Sequence, residues 1–511
     1  MEKMVGENII DTRRTLEFAS LSLVGEVIWN ILGYISIILI GRNFYAEGLG
    51  IFNILVILMH VFVLIVNLGF DTTSLRYLIN YKTKNEKSNF KGLGLFSPLM
   101  VIISSSFVVV LLLVFSNGIA KLVFRDQNYY YAIRIMALSL PFFSLSLVFG
   151  KSLQSLQLVK YRIILEKIFQ PIVLILWISI SWYLEKPLNF MLCGIFLSYF
   201  LTSLFLGYFY YKKILAPLKE VIPTFEIKQW FKFALPVTFL ATSIYLISWV
   251  STLIVSMSLS ASDAGVYSVA AKIVYIIGLP AIASDAMFLS QISRLHAERN
   301  LNSLQIQLST LTRWTSTFAM LVCGAIFASR RALLSFFGAD FQVAENALIL
   351  LCLTQVIYSV FGHINGNILV QTGKSGKDLI CVLVTLVYQI ICGLIIIPKL
   401  GIMGAALTLG SAQILFAILR SYFVYQLFGF FSIDSKIRRP IFAVILSWAV
   451  CEHILTGSNL VISALIKVTI FLIFAFALIY IMGVETDDLE MLNIWSKKTM
   501  LFFRRLFRKY A

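Results

Sequence analysis

Apolar runs long enough to cross ~30 Å of hydrocarbon as a helix follow one another along almost the whole chain, separated by short polar segments. A backbone inside hydrocarbon must satisfy its own hydrogen bonds, so such runs fold as helices. With 59% hydrophobic and only 13% charged residues, a soluble chain of 511 could not cover its surface. The expected fold class is therefore an all-α polytopic membrane protein. About fourteen spans are read, at roughly 17–40, 48–78, 93–118, 132–156, 161–183, 188–211, 233–258, 264–293, 310–329, 344–371, 377–398, 401–427, 440–457 and 459–483. Spans 2, 8 and 10 are long, which predicts tilt or protrusion from the bilayer. The first run is too long for a signal-peptide core and no small-residue cleavage site follows it, so it is expected to stay as the first span.

The net charge of +17 does not imply nucleic acid. The cations sit in short clusters between apolar runs, and no folded soluble segment exists to build a nucleic-acid platform. Segments after even-numbered spans are basic, as at Lys82, Lys84, Lys212, Lys213, Arg438 and Arg439, and so are both tails. Segments after odd-numbered spans are poorer. The bias predicts cytoplasmic termini, which an even number of spans also requires. Residues 484–511 read as a basic amphipathic tail lying on the inner leaflet. The six cysteines form no CxxC pair and read as small buried hydrophobes, with no metal or disulfide role. Gly373-Lys-Ser-Gly-Lys377 lacks the spacing of a phosphate loop. No nucleophile–base set appears and the outward loops are short, so neither an enzyme nor a cofactor is expected.

Span 2 carries Asn53, His60, Asn67, Asp71 and Ser74 at spacings that place them on one helical face. Such a stripe cannot face lipid, because each polar group there is costly. It either bonds neighbouring helices or lines a water-filled cavity. Span 1 shows a matching face with Ser22, Glu26, Trp29, Gly33 and Ser36, span 7 one with Thr238, Thr242, Tyr245, Trp249, Thr252 and Ser256, and span 8 one with Ser268, Lys272 and Tyr275.

The chain also repeats itself. Gly50-Ile-Phe52 entering span 2 is echoed by Gly265-Val-Tyr267 entering span 8, and Gln157-Leu-Val-Lys160 after span 4 by Gln371-Thr-Gly-Lys374 after span 10. A six-span repeat keeps the orientation of each copy, so the two lobes should be related by a pseudo-twofold axis along the membrane normal. The expected division is an N-lobe at 1–216, a C-lobe at 217–430, a terminal helix pair at 431–483 and the tail.

Together with the Gly48-Leu-Gly-Ile-Phe entry of span 2 and its Leu68-Gly-Phe-Asp71…Leu75-Arg76-Tyr77 exit, this layout resembles a polysaccharide or O-antigen type flippase. That group belongs to the superfamily that also holds MATE drug exporters and the lipid II flippase. The resemblance covers the whole chain in layout. It implies alternating access of two lobes in a bacterial inner membrane. The implied cargo is an undecaprenyl-diphosphate-linked oligosaccharide, and membrane lipid and other envelope glycan assembly proteins are the implied partners. A MATE-type cation-coupled drug antiporter is the alternative.

For either function the cavity candidates are Glu26, Asn30, His60, Asn67, Lys272, Tyr275 and Trp249. Glu26 and His60 lie at similar depth, where pairing of the carboxylate with the imidazole or water in the cavity would offset the cost of charge; the two serve either as a fixed contact between spans or in substrate contact or proton coupling. Lys272 either reaches the outer interface or presents its ammonium to a diphosphate. Asp71, Arg76, Lys151, Asp285, Arg294 and Arg313 are gate or rim candidates near the cytoplasmic ends, with Asp71–Arg76 and Asp285–Arg294 as expected salt bridges. Arg134 and Arg420 read as residues reaching for the interface.

Overall fold

The computed structural model describes residues 2–431, 437–453 and 460–482. The expected basic tail lies outside the described residues. Among these residues the chain is helical, and eleven helical stretches are long and apolar enough to cross a membrane. Two of the eleven are far too long for one crossing: 24–67 has 44 residues and Ser375–Phe428 has 54. At 1.5 Å per residue either would exceed twice ~30 Å of hydrocarbon. Each is in fact two helices. Tyr45 breaks the first with φ 58°, and Gly401 breaks the second with φ 59°.

In chain order the helices are α1 (Glu2–Asn67), α2 (Phe70–Thr83), α3 (Lys87–Val114), α4 (Ser116–Phe124), α5 (Tyr130–Ser155), α6 (Val159–Arg162), α7 (Gln170–Tyr183) and α8 (Leu188–Tyr210). There follow α9 (Ile227–Ser258), α10 (Ala261–Tyr275), α11 (Leu279–Ala297), α12 (Leu301–Ser335), α13 (Glu345–Ile357), α14 (Ile364–Gln371), α15 (Ser375–Phe428), α16 (Arg438–Glu452) and α17 (Leu460–Ile481). The long spans of the sequence are interrupted. Span 2 breaks at Leu68 and Gly69, both at positive φ, between α1 and α2. Span 8 breaks at a 3-10 turn, Ile276–Gly278, followed by Pro280. Span 10 passes through a π-helical turn, Tyr358–His363, between α13 and α14.

The end of the molecule carrying Tyr45 and Ser260 is the one that the charge pattern assigns outside, and is called outer here. At this end one continuous apolar core joins both halves of the chain, from Ile40, Leu55 and Met136 to Val255, Tyr267 and Leu348. At the inner end the core splits in two. One cluster holds Phe70, Leu78, Leu153 and Tyr210 of the first half with Trp230; the other holds Ile292, Leu304, Ile368 and Val424 of the second. The halves are thus joined at the outer end and parted at the inner end.

The outer junction is a crossing of α1 and α10. A Cβ on Gly50 would stand 1.7 Å from the Ala261 carbonyl oxygen, and one on Gly265 2.1 Å from that of Ala46. The two glycines that echo each other in sequence therefore touch in space. So do Asn53 and Ser268, 215 positions apart, through a 2.7 Å hydrogen bond. A residue that meets its own repeat partner lies on a pseudo-twofold axis.

The α16–α17 pair packs on α12, where Gly324 admits the Phe471 ring and Arg330 holds Glu345 at 2.8 Å and Glu452 at 3.0 Å. Arg420 does not reach for an interface. It is buried against Asp378 in a two-pronged pair at 2.7 and 3.1 Å, donates to the Gly362 carbonyl at 2.9 Å, and lies over Phe416. Arg420→Ala is expected to lower stability by about 3–5 kcal/mol, because it strands a buried carboxylate. Combining Arg420→Met with Asp378→Leu should recover much of that loss, read as melting temperature in detergent.

Candidate functional site

Between the parted inner ends lies a cleft walled by α1, α9 and α10 and by the turn that follows α6. Glu26 and Tyr275 each expose about half of their surface there. A Glu26–His60 pair does not form. Glu26 Oε2 is 3.0 Å from Lys167 Nζ, which also lies 4.3 Å over the Trp29 ring. Asn30 donates to the Glu26 backbone carbonyl at 2.8 Å. His60 is instead packed: it stacks on Tyr245 at 5.5 Å, meets Phe143 edge-on at 4.8 Å, and pairs through Nδ1–H with the Val56 carbonyl at 2.8 Å. Its ring forms part of the wall, as does Trp249, 6.4 Å from Tyr245. Asn67 is buried at the break below α1.

Sequence reasoning missed Lys167. It sits in a π-helical turn, Ile163–Phe169, which carries two adjacent ionised residues of opposite sign, Glu166 and Lys167. The wider turn displaces side chains from α-helical positions. Glu166 turns inward to Arg162 at 2.9 Å, while Lys167 turns to Glu26. The signal that could have found it was an isolated acid–base pair inside an apolar run.

Lys272 stands at the head of the cleft. Its Nζ donates to Asn53 Oδ1 at 2.9 Å across the two halves, and its backbone carbonyl accepts from Tyr34 OH at 2.6 Å. The interface-reaching reading therefore fails for Lys272 as it does for Arg420. His60 lies within electrostatic range of both Lys272 and Lys167, and Tyr275 within range of Glu26. Among the described residues, one cleft thus gathers a cation from each half, Lys272 and Lys167, with the carboxylate of Glu26.

The inner-end charges pair differently from expectation. Asp71 bonds Lys151 of α5, which also donates to Thr72 at 3.0 Å; Arg76 is exposed and lies over Phe233 at 4.4 Å. Asp285 meets His363 at 3.0 Å and Asn367 at 2.6 Å, while exposed Arg294 is 3.8 Å from Glu298. In both repeats the acid reaches the fourth span of its own repeat rather than the arginine further along its own span. Each pair therefore ties one half to itself and does not bridge the inner ends. Arg313 is buried in α12 and forms no open rim with Arg76 and Arg294. Two surface grooves, of about 630 Å3 beside Asn346 and Met403 and about 500 Å3 beside Trp182 and Lys186, lie apart from this cleft.

The sequence profile of a family described as "Polysaccharide biosynthesis protein" matches residues 17–288, more than half of the chain. The chain belongs to this family. The match includes both walls of the cleft and the α1–α10 crossing. A relative, the capsular polysaccharide biosynthesis protein CapF of Staphylococcus aureus, is 27% identical over 170 residues. That alignment spans 32% of this chain and 41% of CapF, so it covers less than half of the relative. Among solved structures, the lipid II flippase MurJ in an inward closed conformation aligns with a TM-score of 0.68 at 16% identity, covering 90% of this chain and 98% of MurJ. An inward-facing multidrug resistance MATE family transporter also gives 0.68 at 16% identity, covering 78% and 94%. At such identities these likenesses show the fold.

Proposed function

We propose that this member of the family carries a lipid-linked oligosaccharide, joined to its lipid through a diphosphate, from the cytoplasmic to the outer leaflet of a bacterial inner membrane. The observation that carries the reading is the charge of the cleft: Lys272 from one half and Lys167 from the other, against Glu26 alone. A charge held at mid-membrane costs at least ~2.5–3.5 kcal/mol unless it is paired or hydrated. Two cations with one acid leave a surplus that an anionic headgroup neutralises. The basic inner loops support cytoplasmic termini, and the split inner cores support a cleft open to the cytoplasm. The two repeats then act as N- and C-lobes in alternating access, with Lys151–Asp71 and Asp285–His363 stiffening the inner end of each lobe.

The drug-antiporter alternative has one observation in its favour, an exposed acid in a cleft that also holds Trp29 and Tyr275. Lys167 already neutralises that acid, which weakens the case for a cationic substrate. Deleting the protein in its host separates the two readings. Loss of surface glycan with lipid-linked repeat units accumulating in the inner leaflet is the expected result. Unchanged surface glycan with raised drug sensitivity would overturn it.

A further inference from the structure

The outer junction is held by the same ammonium that faces the cleft. Asn53 of α1, only 2% exposed, inserts between two residues of α10: its amide N–H donates to Ser268 Oγ at 2.7 Å, and its amide oxygen accepts from Lys272 Nζ at 2.9 Å. Ser268 Oγ passes its own hydrogen to the Gly265 carbonyl at 2.8 Å, at the glycine crossing itself. Asn53, Ser268 and the crossing thus form one bonded unit between the halves. The unit is asymmetric at two matched pairs, Asn53 against Ser268 and Ile57 against Lys272. The repeat counterpart of Lys272 is Ile57, buried and apolar, so a single cation stands where the symmetry breaks.

We propose that Lys272 is the latch of the outer end, held closed by Asn53 and released when an anionic diphosphate takes the ammonium. This rests on the diphosphate reading of the cleft. The physical argument is competition for one donor group. A neutral amide oxygen is a weaker partner for an ammonium than an ionised phosphate oxygen, because the latter bond is charge-assisted. A diphosphate rising through the cleft meets Lys272 from below and draws it away from Asn53. Asn53 then keeps one of its two bonds across the junction and its oxygen loses its donor. Arrival of cargo and loosening of the outer seal become one event, and an empty protein stays shut on the outside. The class of ligand that opens it is therefore one bearing a diphosphate, whatever sugars follow.

The test uses the full-length protein in lipid nanodiscs, with spin labels on the exposed outer residues Gln127 and Val343, one in each half. The unmutated chain is expected to gain a longer inter-label distance on addition of undecaprenyl diphosphate or inorganic diphosphate, and none with undecaprenol. Asn53→Asp gives Lys272 a charged partner of the same shape, and should raise the undecaprenyl diphosphate concentration needed for the same shift by about tenfold or more. Asn53→Leu keeps the volume without the amide, and should show the longer distance with no ligand added. If the unmutated chain responds and both variants behave like it, the latch is overturned while the diphosphate reading stands. If undecaprenyl diphosphate moves nothing although Asn53→Leu opens the outer end, the coupling to cargo is overturned together with that reading. A shift with undecaprenol overturns the competition for Lys272.

Discussion

Lys272→Ala is expected to reduce surface glycan to background while leaving the amount of protein in the membrane near normal. A hydrogen bond to a charged group is worth about 1.5–3 kcal/mol, and each 1.36 kcal/mol is tenfold in rate, so one lost contact to the diphosphate slows transport by roughly one to two orders of magnitude. Loss of the Asn53 contact adds to this. The fold survives because the junction keeps the Asn53–Ser268 bond and the glycine crossing. Lys272→Arg should keep part of the export, since the charge remains while the donor geometry changes. Surface glycan and protein level measured together decide the matter: full export by Lys272→Ala would remove the cation from the pathway.

Gly50→Val should be as damaging for a different reason. The added Cβ would lie 1.7 Å from the Ala261 carbonyl oxygen and 3.0 Å from the Gly265 nitrogen, both backbone atoms that no rotamer change can move. The outer end could then no longer close as it does here. Export should fall to background. With Ser268→Cys added, a membrane-impermeant thiol reagent should reach the new thiol from outside, which it does not when Gly50 is kept. Gly33→Ala is the control on the same long helix, because nothing lies within 4 Å of the added carbon. Normal export by Gly50→Val would mean that the crossing never needs to form during transport.

The pattern of apolar runs was enough to read an all-helical membrane fold, because runs of that length satisfy their own backbone only as helices, but the described residues give eleven stretches of spanning length, two of them double, against the fourteen spans expected. The repeat was legible as well. Gly50 and Gly265 could be matched by their surroundings, and small residues are what a close helix crossing demands. The partners of the charges were not legible. Helical spacing places Asn53, His60, Asn67 and Asp71 on one face only while the helix is continuous, and Leu68 and Gly69 break it before Asp71. Leu68-Gly69 ahead of Asp71 was a readable stop signal that the stripe argument passed over. Lys167 lay hidden because a π turn changes which neighbour faces which, and one-dimensional spacing assumes a single turn width. The Asp71–Lys151 and Asp285–His363 pairs join residues some eighty positions apart, which only the packing of two helices can bring together.

The connection between the halves is anchored to the first of them. Lys91 donates to the carbonyls of Lys219 and Val221, both at 2.8 Å, and the Thr224 amide donates to the Ser88 carbonyl at 3.1 Å. Tyr81 donates a hydrogen bond to Glu226 and accepts one from the Trp230 indole, and burial with the Glu226 carboxylate pushes its phenol above the usual value. Phe231 packs on Phe70. The first turns of α9 are therefore part of the first half, while its far end lies in the outer junction and is bonded to both halves: Gln389 donates to Ser251, Ser256 to the Val123 carbonyl and Arg125 to the Ser258 carbonyl. A helix held in this way would have to flex between its attachments for the proposed alternating access to occur. Pro236 lies there, a residue that removes one rung of the helix ladder and leaves it compliant. In the proposed alternating access the helix itself, between Phe231 and Ser251, would be where the two lobes turn, rather than the loop that joins the repeats.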